Sequence, residues 1–205
     1  KGDDLHVDFA GTQGQVSGPI NLTKNGMLAA VFYSLKALID PGTPSSAGIY
    51  RAFTVAAEPG MILNAKNPAA VGERIDTAMR IADVIFGALA PAAGIRSMSG
   101  SNGSCTTALF SGYDPNDPEQ YHVYLETIAG GAGAHRDMDG QNGVQVHMTN
   151  TSNLPVEALE MEFPLIMVKK YGLRPDSGGA GLYRGGLGIE RVYEAVTDHV
   201  ICTGL

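Results

Sequence analysis

The segment DSGGAGLYRGGLG, residues 176–188, is the most distinctive stretch of this 205-residue chain. It follows two other unusual segments, GGAGAHRDMDG at 130–140 and TNTSNLPVEALEMEFPL at 149–165. Glycine this dense beside Asp, Arg and His is typical of backbone that turns tightly or approaches a neighbouring segment closely. These segments therefore predict a specifically shaped region, which could be a catalytic site, a subunit contact or a set of difficult turns.

Outside these segments the sequence predicts a mixed α+β fold with a mainly β second half. Apolar residues recur at steps of three and four in two stretches, which predicts amphipathic helices at about 23–39 and 71–90, packed on sheet. The second helix is expected to end at Pro91 and Gly94. Alternating apolar residues and turn signals predict strands at 5–9, 50–57, 105–111, 121–128, 143–149, 163–171 and 189–196.

The chain has no internal repeat and no low-complexity linker, so we predict a single α+β unit over residues 1–205. It opens without Met directly into a strand-like alternation and stops just after another apolar stretch. Both ends therefore indicate a fragment of a longer polypeptide.

The charge balance argues against nucleic acid and anionic membranes as partners. Only 14 Lys and Arg stand against 21 Asp and Glu, for a formal net charge of −7, and no basic stripe is present. The sequence has no apolar run that would span a bilayer and no signal-peptide layout at its start, so we expect a cytoplasmic protein. Cys105 and Cys202 form no CxxC pair, which suits a reducing compartment.

His135, Asp137 and Asp139 form the best titratable cluster in the sequence. The neighbouring glycines let the backbone fold tightly, which could aim an imidazole and two carboxylates at one point for acid/base work or for a hard cation. The structural alternative is that the two aspartates accept hydrogen bonds from turn N–H groups, as Asp commonly does before Gly.

Ser177 lies in DSGG, which invites comparison with the nucleophile segment of trypsin-like proteases. Pro175 and Ala180 depart from that pattern, and no histidine has the matching surroundings. We therefore expect a structural turn, with glycines at positive φ around an anchoring Arg184. Standard phosphate-binding loops are also absent from the sequence, so any ATP chemistry must lie elsewhere.

The segment YHVYLE places His122, Tyr124 and Glu126 on one face of a strand, and Val123 and Leu125 on the other. A polar face of this kind is usually the solvated one, with lining of a pocket as the alternative. In TNTSNLPVEALE, Asn150, Asn153 and Glu157 are predicted to be cap and turn residues.

Five blocks in order resemble the hydantoinase B/5-oxoprolinase family over essentially the whole chain. They are DFAGTQGQVSGPIN at 8–21, AAEPGMILNAKNPAAVGERIDTAMRIADVIFGALA at 56–90, GGAGAHRDMDGQNGV at 130–144, TNTSNLPVEALEMEFPL at 149–165 and DSGGAGLYRGGLGIER at 176–191. The resemblance implies a B-type subunit of an ATP-dependent hydrolase of cyclic amides such as hydantoin, N-methylhydantoin or 5-oxoproline. Related ATP-dependent acetone and acetophenone carboxylases share the family.

In that family an A-type partner supplies the nucleotide site, so the resemblance implies a hetero-oligomer with ATP on the partner and no cofactor bound here. The family's N-terminal metal-binding segment has no match in these residues, so any divalent metal would bind upstream. Within this chain we expect His135 to act as acid or base, with Asp137 and Asp139 orienting it or holding a cation. The alternative is a non-catalytic structural and subunit-interface module of such a hydrolase or of a related ketone carboxylase.

Overall fold

The computed structural model describes residues 4–93 and 97–204. The chain divides into two compact units, Lys1–Met98 and Ser99–Leu205. Each unit mixes helices with strands, which confirms the predicted α+β class. The single unit over residues 1–205 stays a prediction.

The first unit contains a short parallel strand pair and two long helices. Its elements are β1 (Leu5–Asp8), α1 (Lys24–Ile39), α2 (Ala47–Tyr50), β2 (Phe53–Ala56) and α3 (Arg74–Ala93). Strands β1 and β2 run parallel, with Leu5 opposite Phe53. Helix α1 begins where the Thr23 hydroxyl accepts a hydrogen bond from the Gly26 N–H at 3.3 Å, a typical N-cap.

Helices α1 and α3 pack against each other through their apolar stripes. The buried side chains of this core include Met27, Val31, Leu35, Met79, Ala82 and Ile85. Both predicted helices are confirmed, with the second beginning three residues later than expected. Pro91 lies inside the last turn of α3 rather than after it, and Gly94 falls outside the described residues. The predicted strand at 50–57 shortens to β2 because residues 47–50 form the helical turn α2.

The second unit is built from two small antiparallel sheets and one short helix. Its elements are β3 (Thr107–Tyr113), β4 (Tyr121–Thr127), α4 (Val156–Glu162), β5 (Ile166–Leu173), β6 (Ile189–Ala195) and β7 (Ile201–Gly204). One sheet has the order β4-β3-β7, and the other pairs β5 with β6. Phe110, Leu159, Phe163, Leu165 and Ile166 form the core between these elements.

The strand predicted at 143–149 is wrong. Residues 143–149 form turns instead of a strand, because Gly143 at φ 60° and His147 at φ 52° interrupt the extended backbone. The segment after Pro155 forms the helix α4, which has Glu157 in its first turn, and Asn150 before it adopts a φ of 49°.

The face assignment of β4 is also reversed from the expectation. The polar face points to the core: the Tyr124 ring lies 5.2 Å from Phe163 between centroids, and Glu126 is buried. The apolar face is the open one, with Val123 63% and Leu125 56% exposed. None of the helices in residues 4–93 and 97–204 has the length and apolar content that a membrane crossing requires.

Candidate functional site

The two glycine-rich segments of the second unit pair with each other through their backbones. The Gly186 N–H donates to the Ala132 carbonyl at 2.8 Å, and the Gly140 N–H donates to the Arg184 carbonyl at 2.8 Å. A third segment joins them, because the Ser99 N–H donates to the Ala134 carbonyl at 2.8 Å. Sequence stretches about 45 residues apart thus form one layered loop structure.

Glycine is needed in these loops because neighbouring backbones leave no room for a side chain. A Cβ on Gly133 would lie 1.9 Å from the Ser99 carbonyl oxygen, and a Cβ on Gly186 would lie 2.0 Å from that of Gln141. The expectation of positive φ at the glycines of 176–188 is wrong, since Asp176 alone in that run adopts it, at 56°. Close approach, not left-handed backbone, explains the composition.

Asp139 and Arg184 link the two segments. The Asp139 carboxylate accepts the Arg184 backbone N–H at 2.8 Å, and its second oxygen lies 3.5 Å from the Arg184 Nε. The Arg184 guanidinium also donates to the Asn142 side-chain oxygen at 3.4 Å. Asp139 therefore accepts a hydrogen bond from a backbone N–H, as the structural alternative for this residue predicted. Arg184 anchors the turn.

His135 borders a cavity of about 370 Å³ that lies between the paired segments and opens to solvent. Its ring is half-buried, and its backbone N–H donates to the Met138 carbonyl at 2.9 Å. The cavity is lined by Ser99, Gly100, Gly133, Ala134, His135, Arg136, Gly179, Ala180, Gly181, Leu182, Tyr183 and Gly185. The structure thus places the predicted imidazole at an opening of small-molecule size.

The three predicted catalytic residues do not form one hydrogen-bonded cluster. Asp137 is exposed, and Asp139 is engaged by Arg184. Across residues 4–93 and 97–204, no hydrogen bond or ion pair joins the His135 ring to either carboxylate. Only His135 of the three lines the cavity.

Ser177 has a structural role in this loop. Its hydroxyl donates to the Arg174 carbonyl at 2.8 Å and accepts the Gly188 N–H at 2.9 Å. One hydroxyl thus joins both ends of the glycine-rich run. This geometry agrees with the turn expected from the sequence.

Comparison with known proteins identifies the family of the chain. The family model described as hydantoinase B/oxoprolinase matches residues 1–204. The chain belongs to the hydantoinase B/oxoprolinase family.

Similar proteins include hydrolases of cyclic amides. A 5-oxoprolinase of Dictyostelium discoideum is 35% identical over 195 residues, which cover 95% of this chain and 14% of the relative. The crystal structure of an ATP-dependent caprolactamase from Pseudomonas jessenii superposes with a TM-score of 0.84 at 26% identity, covering 98% of this chain and 35% of that one. A nucleotide-free acetone carboxylase shares the fold at a TM-score of 0.79 and 16% identity, over 98% of this chain and 28% of that one. The chain thus spans about a third or less of the length of each of these proteins.

The side chains in residues 4–93 and 97–204 are not arranged to hold a metal ion. In the part of the chain that the structure describes, no group of three or more His, Cys, Asp or Glu side chains is placed to hold one. Asp139 of the predicted cluster is already paired with Arg184. Both of its carboxylate oxygens therefore contact Arg184 of the glycine-rich run.

Sequence reasoning missed two features of the second unit. Arg136 lines the cavity beside His135, and its place in the motif GGAGAHRDMDG was the signal that could have drawn attention to it. The second feature is the buried pair of Glu126 and Arg191, whose nearest charged atoms lie 2.8 Å apart. Nothing in the strand alternation of β4 or β6 indicates that these two side chains meet.

Proposed function

We propose that this chain is part of an ATP-dependent enzyme that hydrolyses a cyclic amide of the hydantoin, N-methylhydantoin or 5-oxoproline type. The observation that carries the proposal is the placement of His135, a proton-transfer group, on a 370 Å³ cavity formed by the family's own glycine-rich blocks. The relatives named as 5-oxoprolinase and caprolactamase support this substrate class.

The chemical problem is that a ring amide is a poor electrophile. ATP, bound by an A-type partner, would supply the activation by phosphorylating the iminol oxygen of the ring, with ADP as the leaving group. Water would add to the ring carbon, the ring C–N bond would break as its nitrogen takes a proton, and a second water would release phosphate from the resulting acyl phosphate. In this chain His135 would take a proton from the attacking water as general base. The loop structure would hold that water and the ring in a fixed relation.

Asp139 and Asp137 stay proposed contributors in different ways. Asp139 acts as a positioning residue, because it holds Arg184 and with it the loop that closes the cavity. Asp137 lies two residues from His135 on the exposed side of the same turn, where it could orient the ring when substrate is bound. The whole protein would be a cytoplasmic hetero-oligomer in which these 205 residues act as one α+β unit.

The test uses the full-length polypeptide with its ATP-binding partner. Ring opening and phosphate release are measured together on 5-oxoproline, hydantoin and caprolactam. His135→Asn should lower kcat by roughly 100-fold or more, the usual contribution of a general base. His6→Asn is the matched control, since His6 is exposed and bonded to Thr54 in the first unit. Equal turnover in the two variants would remove His135 from the mechanism.

A structural and subunit-interface role is the second candidate, and the backbone pairing of the glycine-rich segments favours it. Asp139→Asn separates the two readings when turnover and thermal stability are measured side by side. Lost stability with unchanged kcat would favour the structural module, whereas a lowered kcat at unchanged stability would favour catalysis.

The ketone carboxylase alternative rests on the fold shared with acetone carboxylase. Labelled bicarbonate distinguishes it from hydrolysis. Incorporation of the label into a ketone substrate, with no opening of cyclic amides, would replace the hydrolase proposal by the carboxylase one.

A further inference from the structure

Arg136 is the one fixed cation among the residues that line the cavity. It is exposed, and within residues 4–93 and 97–204 it forms no ion pair. The nearby Arg184 differs, because Asp139 neutralises it. No Asp or Glu lines the cavity, so its charged lining is purely cationic.

The glycine-rich run also lines this cavity, and several of its backbone N–H groups have no partner among the described residues. Residues 179–183 are five successive lining residues whose N–H groups donate to no other described residue. The flanking N–H groups of Arg184 and Gly185 are, in contrast, taken by Asp139 and the Gly179 carbonyl. An unpaired guanidinium donates strong, charge-assisted hydrogen bonds to an oxyanion, and backbone N–H groups that line the same cavity without a partner can add further donors.

We infer that this cavity binds an oxyanion, with Arg136 as its anchoring cation. The inference deepens the proposed function and rests on it for the identity of the ligand, which is either a carboxylate on the ring substrate or a phosphoryl group. His135 borders the same cavity, so an anion held by Arg136 would fix the rest of a small ring near the imidazole. The volume of 370 Å³ is in the range of small-molecule sites.

Binding is measured by calorimetry on the full-length polypeptide with its ATP-binding partner, in the absence of ATP. The probes are 5-oxoproline, the neutral lactam 2-pyrrolidinone, which has the same ring without the carboxylate, and inorganic phosphate. Arg136→Gln should weaken binding of the anionic probe by about 10-fold or more, the usual loss for a hydrogen bond to a charged group. Arg136→Lys should recover part of it, because the charge is kept while the planar donor fork is lost.

Arg174→Gln is the matched control, since Arg174 is an exposed arginine of the same unit that does not line the cavity. It should bind every probe as the unaltered protein does. Loss confined to 5-oxoproline assigns the site to a substrate carboxylate, and loss confined to phosphate assigns it to a phosphoryl group. The inference is overturned if neither anion binds, or if Arg136→Gln and Arg174→Gln bind both anions equally.

The binding measurement distinguishes failure of the oxyanion site from failure of the proposed function. Because this measurement needs no turnover, an Arg136-dependent anion site would stand even if no cyclic amide were hydrolysed. Conversely, hydrolysis that depends on His135 while anion binding ignores Arg136 would leave the function intact and remove only the oxyanion site.

Discussion

Replacing Glu126 by Ala should destabilise the second unit more than any substitution of an exposed acidic residue. The Glu126 carboxylate accepts hydrogen bonds from the Tyr124 and Tyr193 hydroxyls and from the Arg191 guanidinium, the last at 2.8 Å. The side chains of Arg191 and Glu126 are only 2% and 8% exposed. Arg191 is held further by the Leu154 carbonyl, so it cannot easily leave when its partner is removed.

The magnitude follows from what the substitution leaves behind. The guanidinium stays buried without a counter-ion, and both tyrosine hydroxyls lose their shared acceptor. Removing one partner of a buried ion pair costs about 3–5 kcal/mol of the free energy of unfolding. Glu126→Gln should cost less than Glu126→Ala, because the amide oxygen still accepts one hydrogen bond while the charge is lost.

Urea denaturation followed by circular dichroism measures the change in the free energy of unfolding. Glu190→Ala is the control: Glu190 pairs with Lys170 at 2.6 Å, but the two side chains are 36% and 56% exposed. An exposed pair contributes about 0–1 kcal/mol. Adding Arg191→Met to Glu126→Gln completes a double-mutant cycle, for which a coupling of about 1 kcal/mol or more is expected between touching groups.

The reasoning is refuted if Glu126→Ala and Glu190→Ala lower the free energy of unfolding by the same amount. A coupling near zero between Glu126 and Arg191 would refute it as well. Either result would mean that water reaches the pair and screens it, against the burial that the structure shows.

Three further outcomes are expected. Burial and the Glu126 charge raise the pKa of Tyr124 and of Tyr193, so the stability they add is complete below pH about 10 and is lost as the pH rises above it. Urea denaturation across that range should show this fall, and replacing both tyrosines by Phe should flatten it. Gly186→Ala should lower the free energy of unfolding by about 1–3 kcal/mol through overpacking. Gly179→Ala is the control and should leave it unchanged, because a Cβ at Gly179 would have no atom within 4 Å. Equal losses in the two variants would contradict the role of close backbone approach. Ser177→Ala should cost about 1–2 kcal/mol for two lost hydrogen bonds and leave kcat within a few-fold, while abolished turnover would restore the nucleophile reading.

Much of the fold could be predicted because local periodicity survives in the tertiary structure. Helices α1 and α3 were predictable from apolar spacing, since their stripes pack against each other. The predicted strand at 143–149 failed because Gly143 and His147 adopt positive φ. Alternation alone could not reveal this, since positive φ is uncommon at any residue other than glycine.

The face of β4 shows a deeper limit. Residues alternate between the two faces of β4 as the sequence predicts, but the usual rule places the polar face in solvent. The buried Glu126 carboxylate accepts a hydrogen bond from Arg191 of β6, which lies 65 residues further along the chain. An ion pair between residues this far apart in the sequence produces no local sequence pattern. Only the packing of the two sheets therefore shows which face of β4 is buried.

For the candidate site, the sequence by itself determined the family blocks, the crowding of glycines and the choice of His135. These depend on residue type and order, which a family signature preserves. Only the tertiary structure decided that the glycines serve close approach, that Asp139 holds Arg184 and that Arg136 shares the cavity with His135. Each of these features depends on contacts between segments that are far apart in the sequence. The pattern of residues along the chain does not show which distant segments come into contact.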